Sequence, residues 1–107
     1  MSKVAPQTEH EYRVAALARL RDECKTADVM DDGQFRHLIN ACQAVLEMSD
    51  QEIGGKLMVS RPTVNRWVNG KNLPHRAMRK PIFDSIANMA SQRLRIAERS
   101  AQLVLSQ

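Results

Sequence analysis

Between positions 35 and 46 the apolar side chains larger than alanine are Phe35, Leu38, Ile39, Cys42, Val45 and Leu46, which recur at spacings of three and four. On an α-helix that spacing makes one continuous stripe, whereas on a strand it would divide the same residues between two faces. Arg36, Asn40, Gln43 and Glu47 then point away from the stripe. Ala16, Leu17, Leu20, Cys24 and Ala27 repeat the pattern earlier in the chain. Ile82, Phe83, Ile86, Met89, Ala90, Leu94, Ile96, Ala97, Ala101, Val104 and Leu105 repeat it later, over more than half a helix circumference. Aromatic residues make up only 4% of the chain, which further disfavours a sheet-rich sandwich or barrel. A chain of 107 residues is the size of one small domain with an appended element, too short for a second catalytic domain. The expected fold is all-α.

The punctuation between the stripes sets the element boundaries. Thr8 and Glu11 form an S/T-x-x-E capping box, so a first helix is expected from there to about Thr26. The acidic run Asp28–Gly33 favours a turn and a new N-cap. Ser49 and Glu52 form a second capping box that opens a short helix with Ile53 and Leu57 inward. Gly54 and Gly55 each lower its helicity by roughly 1 kcal/mol relative to alanine, which is tolerable where another backbone must pass close by. After a turn at Met58 and Val59, Ser60 can cap a fourth helix, with Pro62 in its first turn. Val64, Trp67 and Val68 form its inward edge. Pro62, Asn65, Arg66 and Asn69 lie opposite, with Arg61 at the exposed start. Gly70 and Pro74 end it. Pro81 divides a short turn from a long last helix expected from about Pro81 to Ser106. The chain thus divides into an N-terminal helical extension (1–33), a helix-turn-helix core (34–80) and a C-terminal helix that completes the core (81–107).

The net charge of +4 is unevenly distributed. Residues 1–32 balance at −2, whereas residues 61–80 contain Arg61, Arg66, Lys71, Arg76, Arg79 and Lys80 with no acid. Such a block is an electrostatic footprint for a polyanion, although charge runs also occur as ordinary solvated faces. Cys24 and Cys42 form no CxxC pair, and Cys42 lies within an apolar stripe, so both are expected as reduced core residues. Cys24, His37 and Cys42 lack finger-type or ribbon-type spacing, so no metal is expected. No Gly-rich phosphate loop, HExxH or GxSxG occurs, so neither an enzyme nor a cofactor is expected. The absence of a long apolar run or a secretory leader leads to the expectation of a cytoplasmic protein without membrane contact.

The segment Gln51-Glu52-Ile53-Gly54-Gly55-Lys56-Leu57-Met58-Val59-Ser60-Arg61-Pro62-Thr63-Val64-Asn65-Arg66-Trp67-Val68-Asn69-Gly70-Lys71-Asn72-Leu73-Pro74 resembles the phage-repressor-like (Cro and lambda-repressor type) helix-turn-helix family. The shared features are Gln51 at a helix start, the small residue Gly54, the Val59-Ser60 turn and β-branched Val64. A basic residue before a large apolar one (Arg66-Trp67) and Gly70-x-x-x-Pro74 complete the pattern. The likeness extends over about residues 35–90. Met58 stands where the family often has glycine, and Pro62 is unusual in its recognition helix.

The resemblance implies a second helix of the pair lying in the major groove of double-stranded DNA. Arg61 and Arg66 would then suit guanine and Asn65 adenine, with Pro62 also at the bases. Gln51, Ser60, Thr63, Asn69, Lys71, Asn72 and Arg76 would hold phosphates, with Gln51 as the clamp, while Arg79 and Lys80 would contribute long-range attraction only. Trp67 is expected in the core. The implied function is a bacterial or phage transcriptional regulator, most simply a repressor on an inverted-repeat operator, controlled by its own concentration or by a protein partner. The alternative is an antitoxin-like or adaptor module that binds a protein, with DNA binding secondary. A homodimer is expected through Leu94, Ile96, Ala97, Ala101, Val104 and Leu105. The other placement for that stripe is back on the first helix, against Leu17 and Leu20.

Overall fold

The computed structural model describes residues 8–105, with side chains as far as Leu103. Five helices follow one another: α1 (Glu9–Thr26), α2 (Asp32–Val45), α3 (Asp50–Leu57), α4 (Arg61–Val68) and α5 (Arg76–Leu105). No strand occurs among the described residues. The fold is all-α, with the extra N-terminal helix and the long C-terminal one. Both capping boxes form. Thr8 Oγ1 accepts from Glu11 N at 3.1 Å while Thr8 N donates to Glu11 Oε1 at 2.8 Å, and Ser49 and Glu52 repeat the exchange at 3.1 and 2.9 Å. Each box satisfies two backbone donors that a helix start leaves without partners. Asp31 caps α2 by accepting from Gln34 N at 3.0 Å.

All five helices contribute to one core. Leu17, Leu20 and Cys24 come from α1; Phe35, Leu38, Ile39 and Cys42 from α2; Ile53 from α3; Val64 and Trp67 from α4. The α5 contribution runs from Ile82 and Phe83 through Ile86, Ala87 and Ala90 to Leu94. Phe35 is the hub. Trp67 meets it edge-on at 5.5 Å between ring centroids, and Phe83 meets it tilted at 5.7 Å. Ring pairs of this geometry contribute about 0.5–1.5 kcal/mol each beyond the area they bury.

α1 and α5 run antiparallel along an extended seam: His10 and Val14 border one surface hollow with Ala101 and Gln102, and Leu17 borders another with Arg93 and Ile96. This seam corrects the placement of the last stripe. Leu94 is buried within the single chain, so its surface belongs to the core rather than to a partner. Ala97 and Ala101 are half-buried, whereas Ile96 remains 58% exposed. The side chains of Val104 and Leu105, and Ser106 as a helix end, lie outside the described residues. The three-part division also changes, because the boundary at 80/81 falls inside α5 and residues 1–33 supply core side chains.

α5 starts five residues before Pro81, at Arg76, where the sequence suggested a separate turn. Proline at this point removes only the bond that would reach the carbonyl of Ala77, an exposed residue of the first turn. Arg79, itself in α5, ties that turn to groups outside the helix. The residue is 4% exposed, and its guanidinium donates to Pro74 O and Val29 O at 3.0 Å each and pairs with Asp32 at 2.8 Å. It also sits 5.4 Å from the centre of the Phe35 ring. A charge this buried requires such partners, because removing it from water is otherwise strongly unfavourable. Arg79 is thus a structural tie and not a source of attraction for a distant polyanion.

Candidate nucleic-acid interface

The two short helices α3 and α4 are joined by Met58, Val59 and Ser60. Gly54 makes the tight junction possible. A Cβ built on it would lie 2.6 Å from Val59 O, and Val59 N donates back to Gly54 O at 2.9 Å. Gly55 has open space around it and meets no comparable demand. Met58 ends α3 with φ of 60°, the left-handed conformation that glycine adopts more readily, and its side chain is 90% exposed.

Ser60 then caps α4, its Oγ accepting from Thr63 N at 3.2 Å and lying 2.7 Å from Thr63 Oγ1. That pair of hydroxyls uses one proton between them and keeps one for an external acceptor. Val64 and Trp67 face the core. Arg61, Pro62, Asn65, Arg66 and Asn69 are all exposed. At 100° per residue, Pro62 and Asn69 lie opposite the buried Val64 and Trp67, Asn65 and Arg66 flank that line by about 50° on either side, and Arg61 stands at the helix start. An eight-residue helix is about 12 Å long and fits within a DNA major groove about 12 Å wide.

The end of α4 is fixed from α2. Arg36 Nε and Asn40 Nδ2 donate to Val68 O at 3.3 and 3.2 Å. Gly70 takes φ of 75° there, a conformation suited to glycine, and a Cβ on it would lie 3.2 Å from the Arg36 side chain. Lys71 N closes the turn on Arg66 O at 2.7 Å. Lys71 and Asn72 follow as exposed residues, and Arg76 is exposed at the first position of α5.

The basic block therefore separates into two kinds of residue. Arg79 is buried as described, and Lys80 pairs with Asp84 at 3.3 Å. Among the described residues Arg61, Arg66, Lys71 and Arg76 have no carboxylate partner. The nearby acids are engaged. Glu52 is tied into the Ser49 cap, whose backbone and side-chain hydrogen bonds hold its carboxyl below the usual range. Asp50 accepts from Gln43 Nε2 and, at 3.1 Å, from Asn65 Nδ2. Gln51 is exposed beside them and its amide has no hydrogen-bond partner among the described residues.

Two features were not read from the sequence. Asn65 is held by Asp50 rather than standing free, and Arg36 and Asn40 are supports for α4 although their helical phase marked them as outward-facing. Asp50 carries a weak signal, since an acid after an N-cap reads simply as a helix-dipole partner. Elsewhere Cys24 and Cys42 are buried, and His37 is exposed beside Glu23 at 3.3 Å. Among the described residues, no three His, Cys, Asp or Glu side chains are grouped to hold a metal, and no helix is long and apolar enough to cross a membrane. Comparison with models of protein families, with curated proteins and with solved structures returned no match.

Proposed function

We propose that this chain is a sequence-specific regulator of transcription that places α4 in the major groove of double-stranded DNA. The observation that carries this reading is the outward face of α4, where Arg61 and Arg66 are exposed and have no carboxylate partner among the described residues, while Val64 and Trp67 fix the opposite face in the core. Guanidinium groups in that position can donate two hydrogen bonds to the O6 and N7 of guanine. Gln51 and the Ser60–Thr63 hydroxyl pair at the start of α4, with Lys71, Asn72 and Arg76 beyond its end, supply the phosphate contacts. The simplest regulatory outcome is repression by occupancy of an operator. Because one such helix spans only a few base pairs, the working unit is a homodimer on an inverted repeat. Exposed Ile96, with Ala97 and Ala101 beside it, is the surface offered for pairing.

Selection of bound sites from a random duplex pool tests the reading. The expected product is an inverted repeat with half-site centres about 10 base pairs apart, or a multiple of that. Arg61→Ala and Arg66→Ala should each remove roughly 1–3 kcal/mol of discrimination at one base pair. Recovery of no preferred site, or wild-type preference in both variants, would contradict the assignment.

A further inference from the structure

A cation from outside the basic block stands at the end of α4. Arg36, the fifth residue of α2, is exposed, and its Nε donates to Val68 O at 3.3 Å. A Cβ on Gly70 would lie 3.2 Å from Arg36 Nη1 and 3.3 Å from its Cδ and Cζ, so the guanidinium runs alongside that glycine. Lys71 follows directly, with its backbone N–H closed on Arg66 O. Holding the end of α4 does not account for an arginine here. Val68 O also accepts from Asn40 Nδ2 at 3.2 Å, a neutral donor one turn further along α2. A guanidinium carries five N–H donors, and Arg36 uses one of them within the described residues. Its charge is also uncompensated. No carboxylate pairs with Arg36 among the described residues, and Asp32, one turn earlier on the same helix, is engaged by Arg79 at 2.8 Å.

We infer that Arg36 is a further DNA contact, whose Nη groups bind a backbone phosphate next to the one met by Lys71. This rests on the reading of α4 as the groove-bound helix and extends its interface onto α2. A helix lying in the major groove has phosphates along both walls, and Arg36 is fixed to the backbone at the helix end. The Nε bond orders the side chain before DNA arrives, so less rotamer freedom is lost when the Nη groups meet the phosphate oxygens. Two parallel N–H donors match two phosphate oxygens, which a lysine ammonium does not reproduce. The same residue thus holds α4 and meets the DNA backbone.

The test measures the slope of log affinity for duplex DNA against log salt in wild type, Arg36→Ala, Arg36→Gln, Arg36→Lys and Asn40→Ala. Arg95→Ala, on the distal part of α5, is the control for loss of one charge. Arg36→Ala and Arg36→Gln should each flatten the slope by about 0.9, the value of one phosphate contact. Arg36→Gln keeps much of the stem and an amide donor, and so reports the charge even where Arg36→Ala fails to fold. Arg36→Lys should keep the wild-type slope because it keeps the charge. Asn40→Ala, which removes the other donor to Val68 O, should lower Tm and leave the slope unchanged, as should Arg95→Ala for the slope. A wild-type slope in Arg36→Gln, or an equal flattening in Asn40→Ala or Arg95→Ala, overturns the inference while the DNA reading stands. Wild-type protein without salt-sensitive duplex binding overturns both.

Discussion

The α1–α5 seam and the α3–α4 pair solve the problem of fixing two helices in different ways. Along the seam, Leu17, Leu20 and Cys24 meet the face of α5 that carries Ile86, Ala90 and Leu94, and burial holds the helices over most of their length. α3 and α4 have eight residues each and bury few large side chains, chiefly Ile53, Val64 and Trp67. Helices this short are not stable by themselves. Their arrangement depends on local devices instead: the close approach at Gly54, the Ser49 and Ser60 caps, the Asp50–Asn65 bond and the α2 side chains on Val68 O. Burial tolerates small shifts, whereas hydrogen bonds and close approaches fix direction. A platform held by the first and a presenting helix aimed by the second suit a protein that must offer a few side chains at one angle.

Mutations should separate the two regions. Leu20→Ala in the seam is expected to cost about 2–5 kcal/mol of stability, measured by denaturant unfolding. The protein that remains folded should bind DNA with unchanged site preference. Gly54→Ala should cost less, about 1–3 kcal/mol, because the new Cβ must displace the Val59 carbonyl. Its loss of site preference should exceed what the fraction unfolded explains, since the displacement re-aims α4. If Gly54→Ala is as stable and as selective as wild type, the contrast between the regions fails.

The platform's cysteines give a smaller, pH-dependent effect. Burial pushes the Cys24 and Cys42 thiols up to about 12, with Cys42 adding to the effect on Cys24. Folding therefore favours the neutral thiols, and their contribution is fully present below the ordinary value of 9.0. As pH rises from there towards 12, the unfolded chain ionises first and stability falls. The expected loss is roughly 1 kcal/mol per thiol at about pH 10. Unfolding of wild type and Cys24→Ala/Cys42→Ala between pH 8 and 10 checks this, and the variant should show the shallower decline.

Much of this contrast was legible in the sequence because its signals are local. The capping boxes at Thr8–Glu11 and Ser49–Glu52, the Phe35–Leu46 stripe, the Ser60 cap and Gly70 each involve residues a few positions apart. What escaped depends on distance along the chain. Pro81 reads as a helix boundary until Arg79 is seen to anchor the first turn of α5 to Val29, fifty residues away. Arg79 itself reads as one more surface cation. Leu94 reads as available for a partner because periodicity gives a face and not its occupant, and in the structure α1 helps to cover it. At the candidate site the outward set Arg61, Pro62, Asn65, Arg66 and Asn69 followed from helical phase, but the Asp50 partner of Asn65 depends on how α3 crosses α4.

The central claim is that the unpaired cations around α4 meet a DNA backbone. The direct test is the salt dependence of affinity for duplex DNA in wild type, Lys71→Ala/Arg76→Ala and a control of equal charge, Arg95→Ala/Arg99→Ala, on the distal part of α5. Each lost phosphate contact lowers the slope of log affinity against log salt by about 0.9. The account predicts steep salt dependence in wild type, a slope reduced by about two in the first variant and little change in the control. Salt-insensitive binding by wild type, or equal reductions in both variants, would contradict it.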